Sequence, residues 1–346
     1  MMEYVGLDVS NEETSFCVKD CAGKVLASGK VASDPQALFE GLREHCLCPD
    51  TIVMETGSLS NWLARELLHL GLKVDVIDAR QAHAVLRLQH NKTDANDAAV
   101  LADLARTGFC RQIHVKSDKA SRMRVLLKAR DHMVGQHRSR QNTIRGLLAS
   151  LGHRLPKGAG KFARRVKAVL DNHRDLAVIF DPMLDEMAAL QKSIEELDRA
   201  VAAAAKHSAA CRLLMSAPGV GPVASVAFAA TMDDPARFAK SRSVGAYLGL
   251  TSRRLQSGEM DYSGRISRHG DKMLRALLYG AANSFLSVVH RAHPLKDWAR
   301  RVKRRSSHKK AVVALARKMA IILHRMLITG EAFRWPKENQ KEAFSA

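Results

Sequence analysis

His90-Asn91-Lys92-Thr93-Asp94-Ala95-Asn96-Asp97-Ala98-Ala99 places two carboxylates three residues apart where an alanine-rich helical pattern begins. Three residues is nearly one helical turn, so Asp94 and Asp97 share a face. Carboxylates so placed repel each other unless a divalent cation sits between them. A cap supplied by Thr93 or Asp94, with the acids favouring the positive end of the helix, accounts for the same residues. Two earlier acids shift the balance towards a cation site. Asp8 interrupts the apolar run Tyr4-Val5-Gly6-Leu7, and Glu55 ends the run Thr51-Ile52-Val53-Met54.

Working outward from these acids, Tyr4–Val9, Thr14–Val18 and Lys24–Gly29 are short strand-like segments separated by turn signals at Asn11-Glu12 and Ala22-Gly23. Their spacing predicts an antiparallel meander. Pro35 opens a helix with Leu38, Phe39 and Leu42 on one face. Thr51–Glu55 follows as a buried strand, then a helix through Trp62, Leu63, Leu67 and Leu68, capped by Ser58 and ending at Gly71. Val74–Asp78 is the fifth strand. A meander followed by alternating helices and strands describes a mixed sheet flanked by helices. Ligands of such sheets gather beyond the carboxyl ends of strands, where Asp8, Glu55, Asp94 and Asp97 can converge. Two magnesium ions about 4 Å apart would bridge such a pocket to a scissile phosphate.

The 346 residues allow two or three domains, and 46% hydrophobic with 26% charged residues is ordinary for a globular chain. A net charge of +20 is not ordinary; it points to a polyanionic partner, foremost nucleic acid. No apolar run is long enough to span a membrane, and no lipidation signal is present. Met1-Met2-Glu3-Tyr4 leads straight into a strand rather than a secretory signal, so a cytoplasmic, nucleoid-associated protein is expected. The cysteines at 17, 21, 46, 48, 110 and 211 match no zinc spacing and read as reduced thiols.

From Lys119 to about Leu151 the pattern is helical and basic, with Arg122, Arg124, Lys128, Arg130, Arg138, Arg140 and Arg145. Like charges sustained over several turns suit contact with a nucleic-acid backbone. Pro156–Gly160 reads as a flexible break. Met183, Met187, Leu190, Ile194, Leu197, Val201 and Ala204 form a heptad seam. That seam suits an intramolecular hairpin or an oligomer contact, and the need to hold two duplexes favours the oligomer. Ala217–Pro222 reads as a tight turn before a helix, a hairpin that can hold a DNA phosphate through Gly219 and Gly221. The Arg- and Gly-rich stretch Tyr247–Gly270 carries Arg253, Arg254, Arg265 and Arg268, and Gly258 would let Ser257 approach a phosphate. No base for that hydroxyl is evident from spacing. Arg300–Arg305 with His308–Lys310 is the densest cationic run, a last helix covers Val312–Leu327, and the tail from Trp335 is expected to be disordered.

Gly6-Leu7-Asp8-Val9-Ser10, Met54-Glu55-Thr56-Gly57, Lys92–Ala98, Pro218-Gly219-Val220-Gly221 and Gln256-Ser257-Gly258 together resemble, in order, the motifs of the DEDD-type transposases of the IS-one-ten insertion-sequence family, relatives of the Piv DNA invertase. The match runs from about residue 4 to 328. The resemblance implies an α/β N-terminal RuvC-like (ribonuclease-H-type) domain with a mixed five-stranded sheet over 1–115. A basic helical and coiled-coil region over 116–208 follows, then a mostly helical transposase domain over 209–330 with a helix-hairpin-helix and the Ser-Gly motif, and a tail over 331–346. It implies Asp8, Glu55, Asp94 and Asp97 as ligands of two Mg2+ ions, for which Mn2+ can substitute. It also implies Ser257 as a nucleophile that becomes covalently joined to DNA. Donor and target DNA, a non-coding bridge RNA and further copies of the chain, as a dimer or tetramer, are the implied partners, with the acidic site of one subunit facing the serine of another. Many relatives carry Ser-Ser-Gly where Gln256 stands here, which leaves Ser257 as the candidate, with Ser252 and Ser263 behind it. The expected function is a transposase that cuts and rejoins the DNA of its own element. A junction-resolvase-like metal nuclease using water is the alternative, and a non-enzymatic architectural protein is a third reading.

Overall fold

The computed structural model describes residues 2–45, 49–87, 91–156 and 161–336. Cys46, Cys48, His90, most of the expected break at Pro156–Gly160 and the tail beyond 336 lie outside the described residues. The chain divides into two compact units, Met1–Ser117 and Asp118–Ala346.

The first unit runs β1 (Glu3–Val9), β2 (Glu13–Asp20), β3 (Val25–Ala32), α1 (Pro35–His45), β4 (Thr51–Glu55), α2 (Ser60–His69), β5 (Val74–Ile77), α3 (Ala79–Leu86) and α4 (Asp94–Thr107). Its five-stranded sheet has the order β3-β2-β1-β4-β5, antiparallel across the meander and parallel from β1 through β4 to β5. The mixed sheet with flanking helices is the one expected. Strand alternation gives β1 and β4 two differently clothed faces. Val5, Leu7, Ile52 and Met54 join Leu38, Leu42, Leu63 and Leu67 in the core beneath α1 and α2. Val53 and Ile77 instead pack with Leu101, Leu104 and Ala105 of α4. Gly6 lies on that second side: a Cβ there would stand 2.1 Å from the Ala98 carbonyl oxygen and 2.3 Å from the Ala102 nitrogen. Only a residue without a side chain lets α4 lie this close to β1.

Two local expectations change. Ser60, not Ser58, closes the turn before α2, accepting from the Gly57 amide at 2.8 Å and donating to its carbonyl at 3.0 Å. Asp78 leaves the fifth strand to cap α3, accepting from the Arg80 amide at 2.9 Å. Short polar side chains at helix starts satisfy amides that have no partner in the first turn.

The second unit comprises α5 (Asp118–Ser150), α6 (Phe162–Leu170), α7 (Ala177–His207), α8 (Ala209–Met215), α9 (Pro222–Met232), α10 (Arg242–Tyr247), β6 (Ser252–Ser257), β7 (Met260–Ile266), α11 (Lys272–Ser287), α12 (Pro294–Arg305) and α13 (His308–Thr329). The long helices α5 and α7 form an antiparallel pair. Ile144 and Leu148 near the end of α5 meet Phe180, Leu184 and Met187 near the start of α7, whereas Leu127 shares a core with Val201 and Ala205. The Arg130–Asp198 and Arg140–Glu186 ion pairs tie the same two helices in the same sense. Met187, Ile194 and Val201, seven residues apart, are all buried inside this unit. These three seam positions are covered within the unit, while Met183, Leu190, Leu197 and Ala204 stay half-buried.

Helix α9 is buried nearly all round and sits in the main core with α11 and α13. The stretch Tyr247–Gly270 forms a two-stranded antiparallel hairpin that the sequence pattern did not announce. Trp335, expected to be disordered, packs against Phe285 and Phe333, with the Arg291 guanidinium 4.5 Å from its ring centre. No helix among the described residues is long and apolar enough to cross a membrane.

Candidate active site

Register and alternation assemble the acids of the first unit. Leu7 pairs with Met54, so the next residue along each parallel strand, Asp8 and Glu55, stand side by side. Asp8 follows Gly6 and Glu55 follows Val53 on the side covered by α4. The Thr93 side chain accepts from the Asn96 amide at 3.2 Å, which fixes where α4 begins. Asp94 and Asp97 thereby occupy its first turn, and Asp97, neighbour of the Ala98 that touches Gly6, is only 7% exposed.

The electrostatics report the convergence. The Asp8 carboxyl is pushed up from 3.8 to about 6, first by burial and then by Asp97, Asp94 and Glu55, with Lys92 opposing. Burial and Asp97 also raise Glu55, against His83 and Lys92. Glu55 Oε2 is buried with no hydrogen-bond partner among the described residues, an expensive state for a carboxylate oxygen in a folded protein. Asp94 is the outlier: its carboxylate is largely exposed and turns to Lys30 of β3, 3.3 Å away. Among the described residues no group of three or more His, Cys, Asp or Glu has its side chains closed into a ligand shell. The donors are nonetheless all carboxylate oxygens, the set that suits a hard divalent cation such as magnesium or manganese. The orphaned Glu55 oxygen and the strained Asp8 are what such an ion would relieve, so the residues fit it. Gly6, Lys30, His83 and Lys92 belong to this site and were not among its expected members. Gly6 is detectable in principle, as a glycine in a strand interior marks close backbone approach.

Ser257 ends β6 in the second unit. It pairs with Met260 across the two-residue loop Gly258-Glu259, where Gly258 adopts φ +53°. Its side chain is exposed and makes no hydrogen bond among the described residues. Ser252 and Ser263 are likewise exposed on the hairpin. Leu255 and Tyr262 are cross-strand partners on the Ser257 side, 69% and 65% exposed. On the other side Arg254 holds Asp261 with two bonds of 2.7 and 2.6 Å.

The expected nucleic-acid contacts divide by what each side chain already touches. Arg124 bonds Asp271 at 2.8 Å and Thr231 at 3.3 Å, and Arg140 pairs with Glu186. Arg145 lies over the Phe162 ring at 5.0 Å. These three tie helices together. Arg122 makes an exposed pair with Asp118 at 2.6 Å, and Arg253 donates to the Ser267 carbonyl at 3.2 Å. Lys128, Arg138, Arg265 and Arg268 turn outward. So do Arg300, Arg301, Lys303, Arg304 and Arg305 along α12, a cationic face not among the expected site residues. Gly219, at φ +76°, lets its turn press on α11, since a Cβ there would meet the Ala281 oxygen at 2.4 Å. Gly221 precedes α9 with no side-chain cap, leaving first-turn amides open at an exposed position.

A family model for DEDD transposases of IS110 elements matches residues 5–152, and the model described as "Transposase IS116/IS110/IS902 family" matches residues 211–297. The chain is 27% identical to the transposase for insertion sequence element IS1111A of Coxiella burnetii, over 96% of this chain and 92% of that protein. It is 24% identical to the transposase for insertion sequence element IS1328 of Yersinia enterocolitica, over 83% and 86% respectively.

Proposed function

We propose that the chain is a DEDD transposase of the IS116/IS110/IS902 kind that moves an insertion sequence by metal-assisted serine attack on DNA, a reading supported by the family models that match residues 5–152 and 211–297. The observation that carries this reading is the carboxylate cluster of Asp8, Glu55 and Asp97 under α4, with an orphaned oxygen and a raised Asp8. Asp8, Glu55, Asp94 and Asp97 are the residues that would hold divalent cations, magnesium first, after Asp94 exchanges Lys30 for the ion. When bound, such ions supply Lewis-acid stabilisation of the charge that builds on a scissile phosphate.

Ser257 stands at a hairpin tip, where a phosphodiester can reach its hydroxyl. Its Oγ attacks phosphorus, the bond from phosphorus to one deoxyribose oxygen breaks, the serine proton is lost to water, and the departing oxygen takes a proton from water to leave as a free DNA hydroxyl. The phosphoserine ester keeps the energy of the broken bond, so a DNA hydroxyl can reverse the step without a high-energy cofactor. The outward cations Lys128, Arg138, Arg265 and Arg268, with the open amides at Gly221, suit the DNA backbone and equally a structured bridge RNA. Assembly into a dimer or tetramer, with the acids of one subunit serving the serine of another, completes the reading.

Asp97→Ala and Ser257→Ala each abolish strand transfer while nucleic-acid binding persists. On a denaturing gel, cleaved DNA migrates attached to the wild-type protein and not to Ser257→Ala. Recombination by Ser257→Ala overturns the serine assignment. One observation favours a second reading, a junction-resolvase-like nuclease using water: no base contacts the Ser257 hydroxyl among the described residues. That reading predicts cleavage without a covalent adduct. Sequencing RNA that copurifies with the protein tests the bridge RNA.

A further inference from the structure

A cavity of about 390 Å³ lies in the second unit at the foot of the β6–β7 hairpin, opposite the end that carries Ser257. Leu250, two residues before β6, and Ile266, the last residue of β7, form one wall; Ala276 and Tyr279 of α11 and Val313 and Ala316 of α13 form the others. Ala276 and Tyr279 are three residues apart and so share a helix face. The polar lining is cationic: Arg268, Lys272 and Arg275, with no carboxylate among the lining residues. These cations are not equivalent. Arg275 Nη1 donates to the carbonyls of Leu248, His269 and Gly270 at 3.2, 3.0 and 3.0 Å, which fixes the loop that forms the rim. Arg268, held at φ +57°, and Lys272 are exposed, and their side chains make no hydrogen bond or ion pair among the described residues.

An apolar slot with one tyrosine and two uncommitted cations at its mouth takes a flat apolar body that carries a negative charge. The volume falls at the small end of the ~300–1,000 Å³ range of ligand pockets, too small for a duplex and suited to one nucleotide. We propose that this cavity receives a single unpaired nucleotide, its base between Tyr279 and the aliphatic walls and its phosphate at Arg268 and Lys272. The inference rests on reading the chain as an enzyme of polynucleotides. The hairpin sets the spacing. From Ser252, paired with Ile266 at the foot, to Ser257 at the tip is five residue steps, about 17 Å of strand. At the rise of about 3.4 Å per nucleotide of a fully stacked strand, that spans at most about five nucleotides, and fewer where the strand is extended. A strand drawn along the hairpin can therefore have one nucleotide anchored at the foot while a phosphate up to about five steps away faces the serine. Extruding a base costs least where it is already unpaired, so the cavity selects for a melted or single-stranded segment.

The test uses the full-length protein in EDTA, so that binding is read without cleavage. Fluorescence anisotropy compares end-labelled pentathymidylate, a pentanucleotide of the same charge lacking all bases, and pentauridylate. Wild-type protein is expected to bind pentathymidylate about tenfold more tightly than the abasic strand, the scale of stacking one base on an aromatic side chain. Ala276→Trp, which fills the slot from its rim, abolishes that preference, and Tyr279→Ala reduces it. Should Ala276→Trp melt early, Tyr279→Ala decides alone. Tighter pentathymidylate assigns the pocket to DNA, tighter pentauridylate assigns it to RNA, and equal binding assigns it to a nucleotide of either sugar. Equal binding of the abasic strand by wild type, or an undiminished preference in either variant that melts normally, overturns the proposal. Ser257→Ala keeps the preference, so a failure of the serine chemistry and a failure of the pocket are told apart.

Discussion

Replacing Asp8 by Asn removes a charge that the fold holds at a disadvantage, and the metal-free protein is expected to gain stability from it. The Asp8 carboxyl stands at about 6 in the folded chain against an ordinary 3.8, through burial and three neighbouring carboxylates. A group raised in this way binds its proton more tightly folded than unfolded. Its contribution is thus fully present below about pH 3.8 and is lost as pH climbs through about 6. A shift of about two units is worth at most about 3 kcal/mol above pH 6. Asp8 keeps some exposure and its neighbours can relax, so about 1–2 kcal/mol is the working figure. If the first unit melts on its own, Asp8→Asn raises its melting temperature by about 4–8 °C at pH 7.5 in EDTA. The gap closes as pH falls towards 4, where both side chains are neutral in the folded state. Calorimetry or circular dichroism across that range reads both effects. Asp8→Asn melting at or below the wild-type temperature in EDTA at pH 7.5, or a gap that ignores pH, refutes the account of the acidic cluster.

Adding magnesium reverses that ranking. The wild type is stabilised by about 2.7 kcal/mol at a hundred times the dissociation constant, while Asp97→Ala shows no such shift in a thermal titration. Gly6→Ala forces a methyl group into the backbone of α4 and is expected to cost about 3 kcal/mol or more, read as early melting with metal response lost. Arg138→Ala weakens duplex binding and lowers the salt slope of log K by about one. Arg124→Ala, which removes the ion-pair partner of the half-buried Asp271 carboxylate, lowers the melting temperature instead.

What the sequence made legible follows from where the physics is local. The meander, the mixed sheet and the strand-end positions of Asp8 and Glu55 were readable, because alternation and turn residues act over a few neighbours. Thr93 as the cap of α4 was readable for the same reason. The β6–β7 hairpin was not: Ser252–Ser257 is exposed on both faces, so no alternation of apolar and polar residues marks it as a strand. Nor could the sequence separate structural from free cations. Arg124 and Arg140 find their acids 147 and 46 residues further along the chain, at positions only the folded packing reveals. Lys30 reaches Asp94 from 64 residues away. The heptad seam of α7 was visible, but its partner, the antiparallel α5 of the same chain, depends on a long-range choice that periodicity does not make.

Gly6 and Asp8 sit two residues apart on one side of β1, and that spacing leaves the segment little room to change in length. Gaining or losing a single residue between them would send the glycine and the acid to opposite sides of the sheet, unseating the helix or emptying the pocket of its first carboxylate. Only paired changes keep both on the same side, and those slide Asp8 past Glu55 by about 7 Å. Gly6 and Asp8 thus fix the length of β1 as firmly as they fix its residues.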